Sequence, residues 1–185
     1  FQSLPTLRGV RQIVGRAPGE DAVTGTNTLL DDPRFAEGLR EAGRRGLSFD
    51  LQLIPELMEK TAGVLAQAPQ TKVALCHAGS PHDRSPKGLR AWAEAMKSLS
   101  ALPQVTCKLS GLGMFDHNWT TGSLRPIVDE VLDQFGPERV MFGSNFPVDK
   151  LYSDYAVLTN CYRELIAPDM IQHVFHSTAA RFYGL

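Results

Sequence analysis

No stretch of this sequence stays apolar for the roughly 18 residues that a bilayer span requires, so no transmembrane segment is expected. Charge of one sign is missing as well: 19 basic residues face 20 acidic ones, for a net charge of −1. A chain so close to neutrality offers no electrostatic ground for nucleic acid or an anionic membrane as partner, and neither is expected. Cysteine is scarce, with 3 in 185 residues. Cys76, Cys107 and Cys161 are odd in number and lack metal-type spacing, which argues against a disulfide framework and for reduced thiols in a cytoplasmic protein. The opening residues, 1–5, carry no basic region followed by an apolar one, so no signal peptide is expected there. The phosphate-binding Gly-x-x-x-x-Gly-Lys-Ser/Thr loop, the dinucleotide fingerprint Gly-x-Gly-x-x-Gly and the serine-hydrolase elbow Gly-x-Ser-x-Gly are all absent.

What is present is ordinary globular composition, 43% hydrophobic and 21% charged. Five short segments read as strands: 8–14, 47–53, 72–77, 104–109 and 139–142. Each is rich in β-branched or large apolar residues and is closed by Gly, Pro or polar residues. Helical patterns lie between and after them. The first starts at Asp32-Pro33, carries Phe35, Leu39 and Ala42 on one face, and stops at Gly46. Others cover 54–68, 88–99, 123–135, 152–165 and 169–183. Residues 18–27 (PGEDAVTGTN) read as a long polar loop within one unit. Strict alternation of strand and helix predicts an α/β fold with parallel strands, either an open sheet or a barrel.

Strand side chains alternate between faces. In the second segment Phe49, Leu51 and Leu53 oppose Ser48, Asp50 and Gln52. In the fourth, Val105, Cys107 and Leu109 oppose Thr106, Lys108 and Ser110. The apolar set belongs against helices, so an inner face carrying Asp50, Gln52, His77, Lys108, Ser110 and Asn145 is expected. Such a set is costly unless paired or wet. Four of these residues fall at C-terminal strand ends, where (β/α) barrels place their chemistry. Arg11 and Gln12 fall on opposite faces of the first strand, whose facing the pattern leaves open.

Three segments, CHAGSPHDRS (76–85), KLSGLGMFD (108–116) and RVMFGSNFPVDKL (139–151), resemble the amidohydrolase-related family of TIM-barrel hydrolases. The branch they resemble includes sugar-lactone hydrolases and 2-pyrone-4,6-dicarboxylate hydrolase. The ending STAARFYGL is similar to that family's C-terminal helix, and the resemblance runs from about residue 7 to residue 185. It implies a TIM (β/α)8 barrel of which about five C-terminal βα units are present, with 1–185 one amidohydrolase-like domain. It also implies a His-x-His pair on an opening strand. Here His77, His82, His117, His173 and His176 are the only histidines, and no two have that spacing. The family barrel takes roughly 250 residues, so the chain reads as a C-terminal fragment with the opening strands missing. A second departure is Asn145, where many members carry an Asp that takes a proton from water. Asn is not basic, and whether Asp149 replaces that Asp stays open.

From position and resemblance together, His77, Asn145 and Asp149 are the candidate catalytic residues. Lys108, Ser110, Arg84 and Arg11 are candidates for binding substrate, with a structural ion pair to Asp50 as the other reading of Lys108. His77 alone is a good metal ligand here, too few for zinc. The cofactor therefore stays open between a divalent ion such as zinc in the full-length protein and none. The expected function is a hydrolase that opens a lactone or similar cyclic ester or amide of a carboxylated small molecule. The alternatives are a metal-dependent decarboxylase of the same superfamily and a non-catalytic barrel that only binds. The expected partner is a small-molecule substrate, and the oligomeric state is undetermined by the sequence.

Overall fold

The computed structural model describes residues 4, 6–16 and 18–185; most of the segment examined for a signal peptide, residues 1–3 and 5, lies outside this set. In chain order the elements are β1 (Gly9–Ile13), α1 (Pro18–Thr24), α2 (Pro33–Arg44), β2 (Ser48–Gln52), α3 (Met58–Leu65), β3 (Val73–Leu75) and α4 (Pro86–Ser100). They continue with β4 (Val105–Leu109), α5 (Thr121–Phe135), β5 (Val140–Phe142), α6 (Tyr155–Leu165) and α7 (Thr178–Tyr183). The sheet has 5 strands in the order β1-β2-β3-β4-β5, and every neighbouring pair is parallel. Each strand lies beside the one before it, without the reversal of order that marks a doubly wound sheet. This is the wall of a (β/α) barrel, as the alternation and the resemblance predict.

Helices pack on one face of the sheet. Leu51, Leu75, Val105, Cys107 and Leu109 are fully buried against Leu39, Met58, Leu65, Trp92, Met96, Leu99, Leu124, Ile127 and Val131. Burying each large side chain contributes about 1.5–3 kcal/mol, so this layer supplies most of the driving force. The helix entrances are capped locally. Asp32 accepts from the Arg34 amide, Ser85 from the Gly88 amide, and Thr120 and Ser123 cap α5 reciprocally.

The other face is only partly covered. Phe182 packs with Ala74 and Met141, and Lys72 Nζ donates to the Phe182 carbonyl at 2.7 Å. The end of α7 therefore closes the part of the inner face near the strand starts. The C-terminal strand ends stay open above it.

Several boundaries differ from the sequence reading. Residues 18–27 are not all loop: α1 occupies Pro18–Thr24, and a 3-10 turn follows over Thr26–Asp31. Asp21 Oδ1 accepts from the Asn27 amide and from Thr26 Oγ1, polar ties that leave no apolar periodicity to read. The helix expected from residue 54 begins at Met58, because Pro55 opens a short 3-10 turn over Pro55–Leu57. The stretch expected to be helical from residue 152 starts only at Tyr155, after a 3-10 turn over Val148–Leu151. The final stretch widens into a π-type turn over His173–Ser177 before α7. β3 ends at Leu75, not at His77.

Candidate active site

Strand alternation alone would put His77 on the same face as Leu75, against the helices. The early end of β3 changes this. Cys76–Gly79 form a tight turn in which His77 (φ 56°) and Ala78 (φ 48°) are left-handed, and Ser80 (φ 55°) follows. Asn145, after β5, has φ 55°. These four are the non-glycine residues with positive φ among the described residues, and all lie beyond C-terminal strand ends. Each such conformation costs on the order of 1–2 kcal/mol, a strain that clusters at functional sites. Here it redirects the His77 side chain toward β4 and β1.

His77 is 4% exposed. Its Nδ1 lies 2.9 Å from Ser110 Oγ and its Nε2 lies 3.3 Å from Arg11 Nη2. A guanidinium only donates, so the Nε2 lone pair accepts and the proton sits on Nδ1, which donates to Ser110. Burial first, and then the Arg11 charge, push the His77 pKa down to about 4. The ring is neutral at neutral pH.

Arg11 faces the inner side, which settles the orientation of the first strand. Its Nη2 also donates to Gln52 Oε1 at 2.6 Å, and its Nη1 lies 3.6 Å from Cys76 Sγ. On the other side of His77, Gly111 has φ 64°, and a Cβ there would lie 2.6 Å from His77 Nδ1 and 3.1 Å from Asn145 Nδ2. Gly111 thus lets these two side chains approach each other over the backbone. Asn145 Nδ2 donates to Asp149 Oδ1 at 2.9 Å. Asp149 is 2% exposed, its Oδ2 has no hydrogen-bond partner, and burial raises its pKa. With its amide turned to Asp149, Asn145 keeps its carbonyl oxygen as an acceptor for other groups.

Below this cluster Lys108 Nζ donates to Asp50 Oδ2 and to Tyr183 Oη, both at 2.8 Å, and Tyr183 Oη donates to Asp50 Oδ1 at 2.9 Å. Burial works against the Lys108 charge, but Cys76, Asp50 and Tyr183 outweigh it and raise the pKa. Burial pushes the Tyr183 pKa up to about 12. Both of these Lys108 contacts are internal, which is the ion-pair reading, with Tyr183 added. Arg84 is not brought to His77. Its Nη2 donates to the Ser123 carbonyl at 2.7 Å and it lies 3.9 Å from Asp116 Oδ2, pinning the loop after β3 to the start of α5.

Sequence reasoning put Gln52 on the inner face but did not single out Cys76, Gly111 or Tyr183 as site neighbours. The Ser-Gly-Leu-Gly run around Gly111 was a usable signal, since glycine there permits both the left-handed turn and the close approach. Tyr183 left none, because only the return of α7 onto the inner face brings it there.

Beside the cluster lies a cleft of about 410 Å³ lined by the polar residues Arg16, Gln52, Ser80 and His82 and by Ile54, Met114, Phe115 and Tyr152, with Gly15. Such a size suits a small-molecule ligand.

The divalent metal that the resemblance allows needs a ligand set of at least three side chains. No group of three or more His, Cys, Asp or Glu side chains able to hold a metal ion occurs among the described residues. The Nε2 lone pair of His77 is engaged by the Arg11 cation. These residues do not make a metal site by themselves.

Comparison with known proteins shows the family of the chain. A protein of Sinorhizobium fredii, described as "Uncharacterized protein y4mH", is 38% identical over 181 residues, which cover 96% of this chain and 61% of that protein. An L-fucono-1,5-lactonase of Burkholderia multivorans is 34% identical over 173 residues, 85% of this chain and 58% of that one. A crystal structure of a Burkholderia multivorans amidohydrolase with bound zinc superposes with TM-score 0.82 at 29% identity, over 97% of this chain and 65% of that chain. The chain therefore spans about three fifths of the length of the curated relatives it matches. The amidohydrolase family profile matches residues 7–185, and the chain belongs to that family.

Proposed function

We propose that this chain carries part of the active site of a hydrolase that opens a lactone, the ring ester of a sugar acid or a similar small molecule. The observation that carries the reading is the neutral His77 held between Ser110 and the Arg11 guanidinium at the open end of the sheet. Relatives named as lactonases support the substrate class.

The scissile carbonyl accepts from the Arg11 guanidinium, which stabilises the oxyanion as it develops. Water attacks beside it. Asn145, fixed by Asp149, orients that water through its free carbonyl oxygen. As Arg11 turns its donor from His77 Nε2 to that carbonyl, the Nε2 lone pair so released accepts the water's proton while Ser110 holds the ring through Nδ1. Ring opening then releases the alcohol, which takes the proton back. Family membership and a zinc-containing relative point to a divalent metal in the whole protein. Because the described residues supply no ligand set, no step above passes through one.

The test is turnover of a lactone panel by the intact protein, followed by titration of released acid. Acid release from hydroxylated lactones supports the reading. Release of carbon dioxide from carboxylated substrates without ring opening contradicts it.

A further inference from the structure

We infer that Tyr152 is a specificity-determining residue, the rigid aromatic wall on which the C–H face of a hydroxylated lactone ring rests. The inference builds on the lactone reading above and names how the cleft recognises that class. Three separate observations meet at this residue. Tyr152 lines the 410 Å³ cleft together with Met114 and Phe115, and Gln52 and Ser80 belong to the same lining. The His117 ring stacks on Tyr152, with centroids 4.5 Å apart and planes 12° from parallel. Gly113 lets the chain run close behind it: a Cβ there would meet Tyr152 Cβ at 3.2 Å and Trp119 Cδ1 at 3.4 Å.

A tyrosine held by a stacked imidazole and an abutting backbone loses little further freedom when a ligand binds. That makes it an efficient contact surface. The cleft lining is mixed. Gln52 and Ser80 offer hydrogen-bonding groups, and Tyr152 and Phe115 offer apolar area. A sugar-derived ring is mixed in the same way, with hydroxyls around its rim and C–H bonds on its face. A planar dicarboxylate would instead ask for several cations, and among the described residues Arg16 is the one arginine or lysine in the cleft lining.

The experiment measures binding and turnover together on the intact protein. Trp119, close to Tyr152, reports binding by fluorescence, while Trp92 is buried in the helix layer. The probes are L-fucono-1,5-lactone, other hydroxylated lactones and 2-pyrone-4,6-dicarboxylate. Tyr152→Ala is expected to raise KM and Kd for the preferred lactone about tenfold or more, with kcat within about threefold. Tyr152→Phe keeps the apolar face and is expected to stay within about twofold of the parent. Lactone binding that is unchanged in Tyr152→Ala overturns this inference and leaves the lactone reading standing. Tight binding of the dicarboxylate with no response to any lactone overturns both.

Discussion

Arg11 Nη2 sits 3.3 Å from His77 Nε2, so a permanent cation faces the one inward imidazole of the described sheet. That contact fixes the tautomer and helps to keep the ring uncharged. Removing the cation in Arg11→Met is expected to raise the His77 pKa from about 4 toward its ordinary 6.5. Burial, the larger cause, still holds it below that value. Imidazole NMR titration of the two proteins measures the shift, and an unchanged or lowered value contradicts the assignment.

The same depressed pKa makes stability pH-dependent. Below its ordinary pKa of 6.5 the unfolded His77 binds a proton that the folded one refuses until about pH 4. Stability is therefore lost as pH falls from 6.5 toward 4, by ~3 kcal/mol at most from this group, and flattens below. Denaturant melts of the parent and of His77→Asn across that range isolate the contribution. Parallel curves would show that His77 does not supply it.

Ser110 is the sole acceptor shown for His77 Nδ1–H, and both groups are buried. Ser110→Ala leaves that donor unpaired and is expected to cost about 1–3 kcal/mol. Gly111→Ala acts from the other side. It forces a left-handed alanine whose Cβ lies 2.6 Å from the imidazole, so it is expected to destabilise the fold and to displace His77. Chemical denaturation measures both.

Lys108, Asp50 and Tyr183 form a closed set beneath the site, with the two charged side chains 18% and 21% exposed. Lys108→Met strands the Asp50 carboxylate and is expected to cost about 2–3 kcal/mol, less than for a fully buried pair because both ends remain partly wet. Lys108→Met with Asp50→Leu is expected to recover most of that loss. A double variant no better than the single one would mean that the pair does not act as a unit.

Much of this arrangement was legible in the sequence because alternation is a strong signal. Phe49, Leu51 and Leu53 alternating with Asp50 and Gln52 placed the second strand and both of its faces correctly. Asp32-Pro33 and Gly46 bracketed α2 to within two residues at each end. His77 was expected on the inner face and lies there, but by a different local geometry: what turns it inward is a run of left-handed residues, and neither His nor Ala advertises that conformation. Arg84 read as a candidate for binding substrate, yet the Ser123 carbonyl that accepts from it lies 39 residues away and no local pattern points to it. Long-range partners such as Tyr183 follow from how α7 folds back, which depends on the assembled sheet.

The central claim is that Arg11 and His77 act on the scissile carbonyl and its attacking water. The most direct measurement is kcat/KM of the intact protein on its preferred lactone, with Arg11→Met and His77→Asn compared against the parent. A loss of about 10²-fold or more is expected in each, mostly in kcat, with the fold retained by circular dichroism. Lactone turnover within about threefold of the parent in both folded variants would contradict it.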